Sequence, residues 1–136
     1  MAIERVRDYF RRQGMEDQIL EFPVSSATVE LAAAALGCEP CRIAKSLAFK
    51  VGDGAVLVVA AGDARIDNRK FKAFFGTKAA MPHGGEVEAL IGHAVGGVCP
   101  FAVNDGVRVY LDESLKRFES VYPACGSANS AIRLTI

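Results

Sequence analysis

The sequence has no apolar run long enough to cross a membrane. Its longest, residues 55–61, is the length of a strand, whereas a helical span needs about 20 residues. It also has no excess of charge. Sixteen Lys and Arg residues balance sixteen Asp and Glu residues, which argues against a broad phosphate-tracking surface for non-specific nucleic-acid binding. A grip on one end of a nucleic acid stays open. Residues 1–7 are amphipathic and charged rather than a signal peptide. The four cysteines are therefore expected as reduced thiols in the cytoplasm. Repeats, linkers and low-complexity segments are absent. So are the nucleophile elbow G-x-S-x-G, the P-loop and the dinucleotide fingerprint.

What is present reads as a single domain over residues 1–136, with half its residues hydrophobic and enough length to bury a core without staples. Ile3, Val6 and Phe10 recur at helical spacing. Residues 19–24 look extended. Ser25 or Ser26 can cap a second helix through Val29, Ala32 and Leu36, with Gly37 as its stop. Residues 43–51 and 55–61 read as a hairpin about Gly52-Asp53-Gly54. The second strand is continuously apolar, which suits cover on both faces. Asp67 can cap a helix through Phe71, Phe74 and Phe75. A short strand is expected over 77–81, a helix over 86–91 and a strand over 107–111. A short helix over 113–118, an extended stretch over 120–123 and a closing strand over 131–135 complete the chain. Strands and helices alternate irregularly and some strands join as hairpins. The expected class is therefore α+β, a mixed sheet with helices packed outside.

Lys45 is the unusual residue. Alternation along residues 43–51 puts Ile43, Lys45, Leu47, Phe49 and Val51 on one face. An ammonium rarely faces inward unless a partner or a polar cleft receives it. Either helix runs to residue 45 and Lys45 snorkels out at the strand's edge, or Lys45 binds a ligand.

Other candidates each carry two readings. Cys38-Glu39-Pro40-Cys41 lacks a second C-x-x-C for zinc and follows a helix rather than a strand, so two small structural thiols are the simpler reading. Gly96-Gly97 is either a tight turn or a place where backbone N–H groups approach a ligand. Cys99 is a packed thiol lining a pocket, or a nucleophile that needs one of the two histidines. Arg65, Arg69, Lys70 and Lys72 make a solvated helix face or an electrostatic funnel for a phosphate-bearing ligand. Asp63 orients a ligand or caps a turn.

Four segments, in this order and spacing, resemble the YbaK family of aminoacyl-tRNA deacylases, which also supplies the editing domain of bacterial prolyl-tRNA synthetases. They are Ile43-Ala44-Lys45-Ser46-Leu47, Ala61-Gly62-Asp63-Ala64-Arg65-Ile66-Asp67, Gly96-Gly97-Val98-Cys99-Pro100-Phe101, and the Gly126-Ser127 loop. The resemblance covers nearly the whole chain. It implies a mixed sheet curled into a barrel-like core, and hydrolysis of the ester joining a wrong amino acid to the tRNA 3′ end. It maps the family's lysine onto Lys45, its Gly-Asp turn onto Gly62 and Asp63, and its glycine-proline loop onto Gly96, Gly97 and Pro100. Lys45, Gly96 and Gly97 are then the expected catalytic residues. Gly62, Asp63, Val98, Cys99, Pro100, Phe101, Gly126 and Ser127 are expected to bind substrate. Cys99 stands where relatives often carry serine or threonine.

The same resemblance implies no cofactor and no metal, and a partner in the aminoacylated tRNA acceptor end, delivered by prolyl-tRNA synthetase or an elongation factor. DNA and membranes are not expected partners. The implied substrate is tRNA-Pro carrying Cys, Ala, Ser or Thr. The alternative is a sensor module that binds an amino acid or nucleotide in the same pocket without turnover.

Overall fold

The computed structural model describes residues 2–135. The amphipathic start forms α1 (Ala2–Arg11), whose buried face is Val6 and Phe10. The extended stretch that follows is shorter than expected. Only β1 (Leu20–Glu21) pairs, after a 3₁₀ turn at Glu16–Gln18. Helix α2 (Val29–Leu36) ends at Gly37, in the left-handed conformation. Its cap is Thr28 rather than Ser25 or Ser26. The Thr28 hydroxyl accepts from Leu31 N–H at 3.1 Å, while Ser26 is turned inward.

Strand β2 (Ile43–Val51) and β3 (Gly54–Ala61) form the expected hairpin, with Val51 opposite Gly54 and Lys45 opposite Ala60. Every β3 residue after Gly54 is buried, because helices cover both faces. Full burial of one Val or Leu side chain is worth about 1.5–3 kcal/mol, so this strand is the backbone of the core. Helix α3 (Asn68–Phe75) is capped by Asp67, whose carboxylate accepts from Arg69 N–H and Lys70 N–H. Helix α4 spans Gly84–Ile91. The strand expected over 77–81 does not form. One ladder-like bond remains there, from Lys50 N–H to Ala80 O at 2.8 Å.

Strand β4 (Arg108–Leu111), a short 3₁₀ helix at Glu113–Arg117 where a short helix is expected, and β5 (Ser120–Pro123) come next. The closing strand is broken into β6 (Ser130–Ala131) and β7 (Leu134–Thr135). The break falls at Ile132, which is buried and donates its N–H to Pro123 O.

The main sheet is mixed and curled into a half-barrel, in the order β4-β3-β2-β5-β7, with β1 and β6 forming a separate pair. This is the expected class. On one face of the hairpin, Phe49, Val56 and Val58 pack against Phe71 of α3. On the other, Ala48 and Leu57 pack against Val87 and Ile91 of α4. Helix α1 closes a further cluster with Cys99, Phe101, Cys125 and Ile132. Among the described residues no helix is long and apolar enough to cross a membrane.

Candidate functional site

A strand edge left without a neighbour creates the site. The Lys50 N–H points away from β3, toward Ala80 O. Alternate residues of an antiparallel strand share an edge, so Ser46 and Ala48 turn their N–H and C=O groups the same way. Strand β5 pairs with β2 only at Ile43 and Ala44. From Ser46 to Ala48 that edge therefore faces a cavity of about 340 Å³, within the usual range for small-ligand sites. Residues 26–29 before and in α2, Met81 and Pro82, and the 95–98 loop form its other walls, with Tyr122, Ala124 and Ser130 at the back.

Lys45 is the one charged side chain among the described lining residues. The strand starts at Ile43, so no helix carries Lys45 outward. The side chain lies on the face of Leu47 and Phe49, and its ammonium donates to Gly62 O at 3.3 Å and to Ala64 O. These are carbonyl dipoles, not a counter-charge, and the ammonium is in none of the ion pairs of the described residues. Its positive charge therefore stays available to a ligand.

Of the other residues expected from sequence, Gly96 and Val98 line this cavity with Lys45. Gly97 does not. Its N–H is committed to Ala94 O at 3.0 Å, so it is no free donor. Its role is close approach: a Cβ there would lie 2.7 Å from Ser127 N and 2.8 Å from Gly126 C. Gly126 in turn packs against Ala2 and Val6 of α1. Ser127 stands behind the wall, its hydroxyl donating to Asn129 Oδ1 at 3.0 Å and accepting from the Ser130 hydroxyl at 2.6 Å. Of these two serines, Ser130 is the one that reaches the cavity.

Gly62 sits at the exit of β3 and contributes its carbonyl to Lys45. Asp63 does not line the cavity. It is forked by Arg117, with contacts of 3.0 and 2.5 Å, and that hydrogen-bonded guanidinium holds its carboxyl below the usual range. Arg117 also lies over the Phe118 ring, 4.9 Å from its centroid. No local sequence pattern pointed to Arg117, which is far from Asp63 along the chain.

Pro100 falls outside the cavity lining, and Cys99 and Phe101 point into the core beneath α1. Cys99 does meet a histidine, His93 Nε2 at 3.5 Å, yet the pair is not a nucleophile and its base. Nε2 lies 2.7 Å from Phe101 O, and a carbonyl only accepts, so Nε2 carries the proton and cannot take one from the thiol. Cys99 is 0% exposed, and burial pushes its thiol up to about 12. Burial likewise raises Cys125. Iodoacetamide is expected to label Cys38 and Cys41, which are half-buried, in the native protein. Cys99 and Cys125 should label only after unfolding, as peptide mass spectrometry would read. Native labelling of Cys99 would refute its placement.

His93 supplies a pH signature. Burial lowers its pKa, with Arg5 adding to the effect against the bond to Phe101 O, and Nδ1 has no hydrogen-bond partner among the described residues. The unfolded chain then takes up the proton before the folded one. Stability is full above the unfolded value of about 6.5 and falls as pH drops below it, by up to about 1.4 kcal/mol per pH unit until the folded pKa is reached. Urea midpoints between about pH 7.5 and 5.5 should show this fall. It should be weaker in His93→Gln, and equal slopes would refute it.

Two further lining residues went unread in the sequence. The hydroxyls of Ser26 and Ser46 are buried without a hydrogen-bond partner among the described residues. Buried hydroxyls are normally satisfied, so these two are places where a polar ligand group would be held. The arrangement combines a cation, backbone donors on a strand edge, spare hydroxyls and small apolar walls. No imidazole, carboxylate or thiol is among the described lining residues.

The chain is similar to several known proteins. The sequence profile of the aminoacyl-tRNA editing domain matches residues 24–136. The chain is 53% identical over 136 residues to the uncharacterized protein YwhH of Bacillus subtilis (strain 168), covering 99% of this chain and 87% of that one. It is 28% identical over 102 residues to a proline–tRNA ligase of Bacillus cereus (strain AH820), a stretch that is 74% of this chain and 18% of the ligase. A solved structure described as a candidate trans-editing enzyme for prolyl tRNA synthetase superposes with a TM-score of 0.87 at 33% identity, covering 98% of this chain and 86% of that one.

Proposed function

This chain belongs to the aminoacyl-tRNA editing domain family, and we propose that it is a free-standing hydrolase, one domain over residues 1–136, that removes a small amino acid from mischarged tRNA-Pro. The observation that carries this reading is the cavity beside the uncovered edge of β2, with Lys45 as the one charged residue among its described lining residues. An aminoacyl ester is already activated, so a positioned water and oxyanion donors suffice. Water adds to the acyl carbon, and the bond to the ribose oxygen breaks. A proton of the water passes to the departing ribose oxygen, which leaves as a hydroxyl, with the neighbouring ribose hydroxyl as an aid to positioning. The N–H groups of Ser46 and Ala48 are the donors for the developing oxyanion, a role that the committed N–H of Gly97 leaves vacant. Lys45 anchors the terminal phosphate or adenosine as a compact point charge.

Ala44, Ala48 and Val98 keep the acyl space small and largely apolar, in line with alanine, cysteine, serine or threonine as the amino acid removed. Such a pocket separates neighbours by only about 1–3 kcal/mol per methylene, so selectivity among them is modest. The aminoacylated acceptor end is the partner, in the cytoplasm, with prolyl-tRNA synthetase or an elongation factor delivering it. A deacylation panel tests this: tRNA-Pro charged in turn with Ala, Cys, Ser, Thr and Pro. Loss of ester from at least one of the first four, with prolyl-tRNA spared, is expected. Tight binding of a non-hydrolysable aminoacyl-adenosine with no turnover on any of them would make the protein a binding module instead.

A further inference from the structure

A second cavity, of about 460 Å³, opens between α3 and β4. Its floor is Val58 and Ala60 of β3, and its walls include Phe74 and Tyr110. Phe74 is 66% exposed and meets Tyr110 edge-on, with centroids 5.4 Å apart and planes at 89°. Leu111 beside them is exposed as well. A lone exposed phenylalanine is ordinary. Here it stands over a cleft rimmed by two cations, Arg65 and Lys70.

The charges at this rim are unevenly committed. Asp67 is engaged by the N–H groups of Arg69 and Lys70. Asp112 accepts from Ser114 N–H at 3.0 Å, and hydrogen bonding at Ser114 holds its carboxyl low. Neither Arg65 nor Lys70 is in an ion pair among the described residues, although the charge of Lys70 adds to what holds the Asp112 carboxyl low. Two cations beside an exposed phenylalanine and a half-buried tyrosine form the kind of surface that single-stranded nucleic acid uses, with phosphates on the cations and bases against the rings.

This cleft adjoins the first cavity. Lys45 lines the first, and Ala60, its partner across the hairpin, lines the second. The Lys45 ammonium rests on Gly62 O and Ala64 O, and the next residue is Arg65. The two cavities thus have lining residues that are partners across the hairpin.

We propose that the α3–β4 cleft seats an unpaired nucleotide of the tRNA 3′ end, its base against Phe74 and Tyr110 and its phosphate at Arg65 and Lys70. This rests on the deacylase reading and extends it from the terminal adenosine to the nucleotides before it. The site reads a backbone and a π-face, so it secures the single strand without selecting which tRNA.

The test compares two substrates, aminoacyl-tRNA and the same amino acid esterified to adenosine alone, with wild type, Phe74→Ala and Lys70→Gln. Both side chains are exposed, and circular dichroism checks the fold. Each variant should raise KM for aminoacyl-tRNA about tenfold and leave kcat/KM for the adenosine ester unchanged. Unchanged KM for aminoacyl-tRNA, or equal losses on both substrates, would overturn the proposal. A wild type inert on both would instead sink the deacylase reading. The cleft would then be judged by anisotropy with a labelled short RNA ending in CCA. Weaker binding by Phe74→Ala would support it, and an unchanged Kd would overturn it.

Discussion

Lys45→Ala is expected to give a folded protein whose kcat/KM on mischarged tRNA-Pro falls on the order of 100-fold, the scale of losing a group that positions the reacting ester. The ammonium has three donors, and two are spent on Gly62 O and Ala64 O. One donor and the whole charge remain. The nearby carboxylate of Asp63 does not neutralise it, because Arg117 holds Asp63 in a forked pair. Alanine removes that charge from the cavity and frees the loop carbonyls that the ammonium gathered. The fold should survive, since Lys45 is only half-buried and the hydrophobic contacts of Leu47 and Phe49 remain. Lys45→Arg should fall between the two, as a planar fork cannot occupy the position of a compact ammonium. Steady-state deacylation paired with thermal melts checks this. Full activity in a folded Lys45→Ala would end the role assigned to Lys45.

Gly62→Ala should have the largest effect on stability. A Cβ at residue 62 would be driven into Pro40 O, with Val29 Cγ1 at 2.8 Å and Pro40 C at 3.0 Å. The obstacle is mostly backbone, from the 3₁₀ turn Pro40–Arg42 that leads into β2, so no rotamer change relieves it. Overpacking of this kind costs about 1–3 kcal/mol, and the upper end applies where backbone must move. The displaced segment carries the carbonyl that holds Lys45, so activity should fall along with stability. Gly85→Ala is the control. Nothing lies within 4 Å of its Cβ position, and alanine in a helix gains about 0.5–1 kcal/mol over glycine. Urea midpoints of the two variants should move in opposite directions. A wild-type midpoint for Gly62→Ala would refute the close-packing argument.

Side-chain alternation is a local property, and so the face of Lys45 was legible from residues 43–51 alone. The caps at Gly37 and Asp67 were legible for the same reason. The loops behaved differently. Nothing in Gly96-Gly97-Val98-Cys99-Pro100-Phe101 has a period, so the sequence could not say that Val98 turns to the cavity and Cys99 to the core. The family resemblance named the loop but not the direction of each side chain. Likewise it named Ser127, while the fold presents Ser130 and keeps Ser127 as its hydrogen-bonded support.

By itself the sequence determined the strand that carries the cation, the caps at Gly37 and Asp67, and the family to which the matched segments belong. Each is written in neighbouring residues, through alternation, capping or motif order. Only the tertiary structure decided that β5 leaves β2 after Ala44 and uncovers the edge of Ser46 and Ala48. It alone decided that Arg117 crosses 54 positions to hold Asp63, and that an aromatic cleft lies beside Lys45. Such contacts form when distant segments close on one another, and their geometry depends on the whole packed core rather than on any local stretch of the chain.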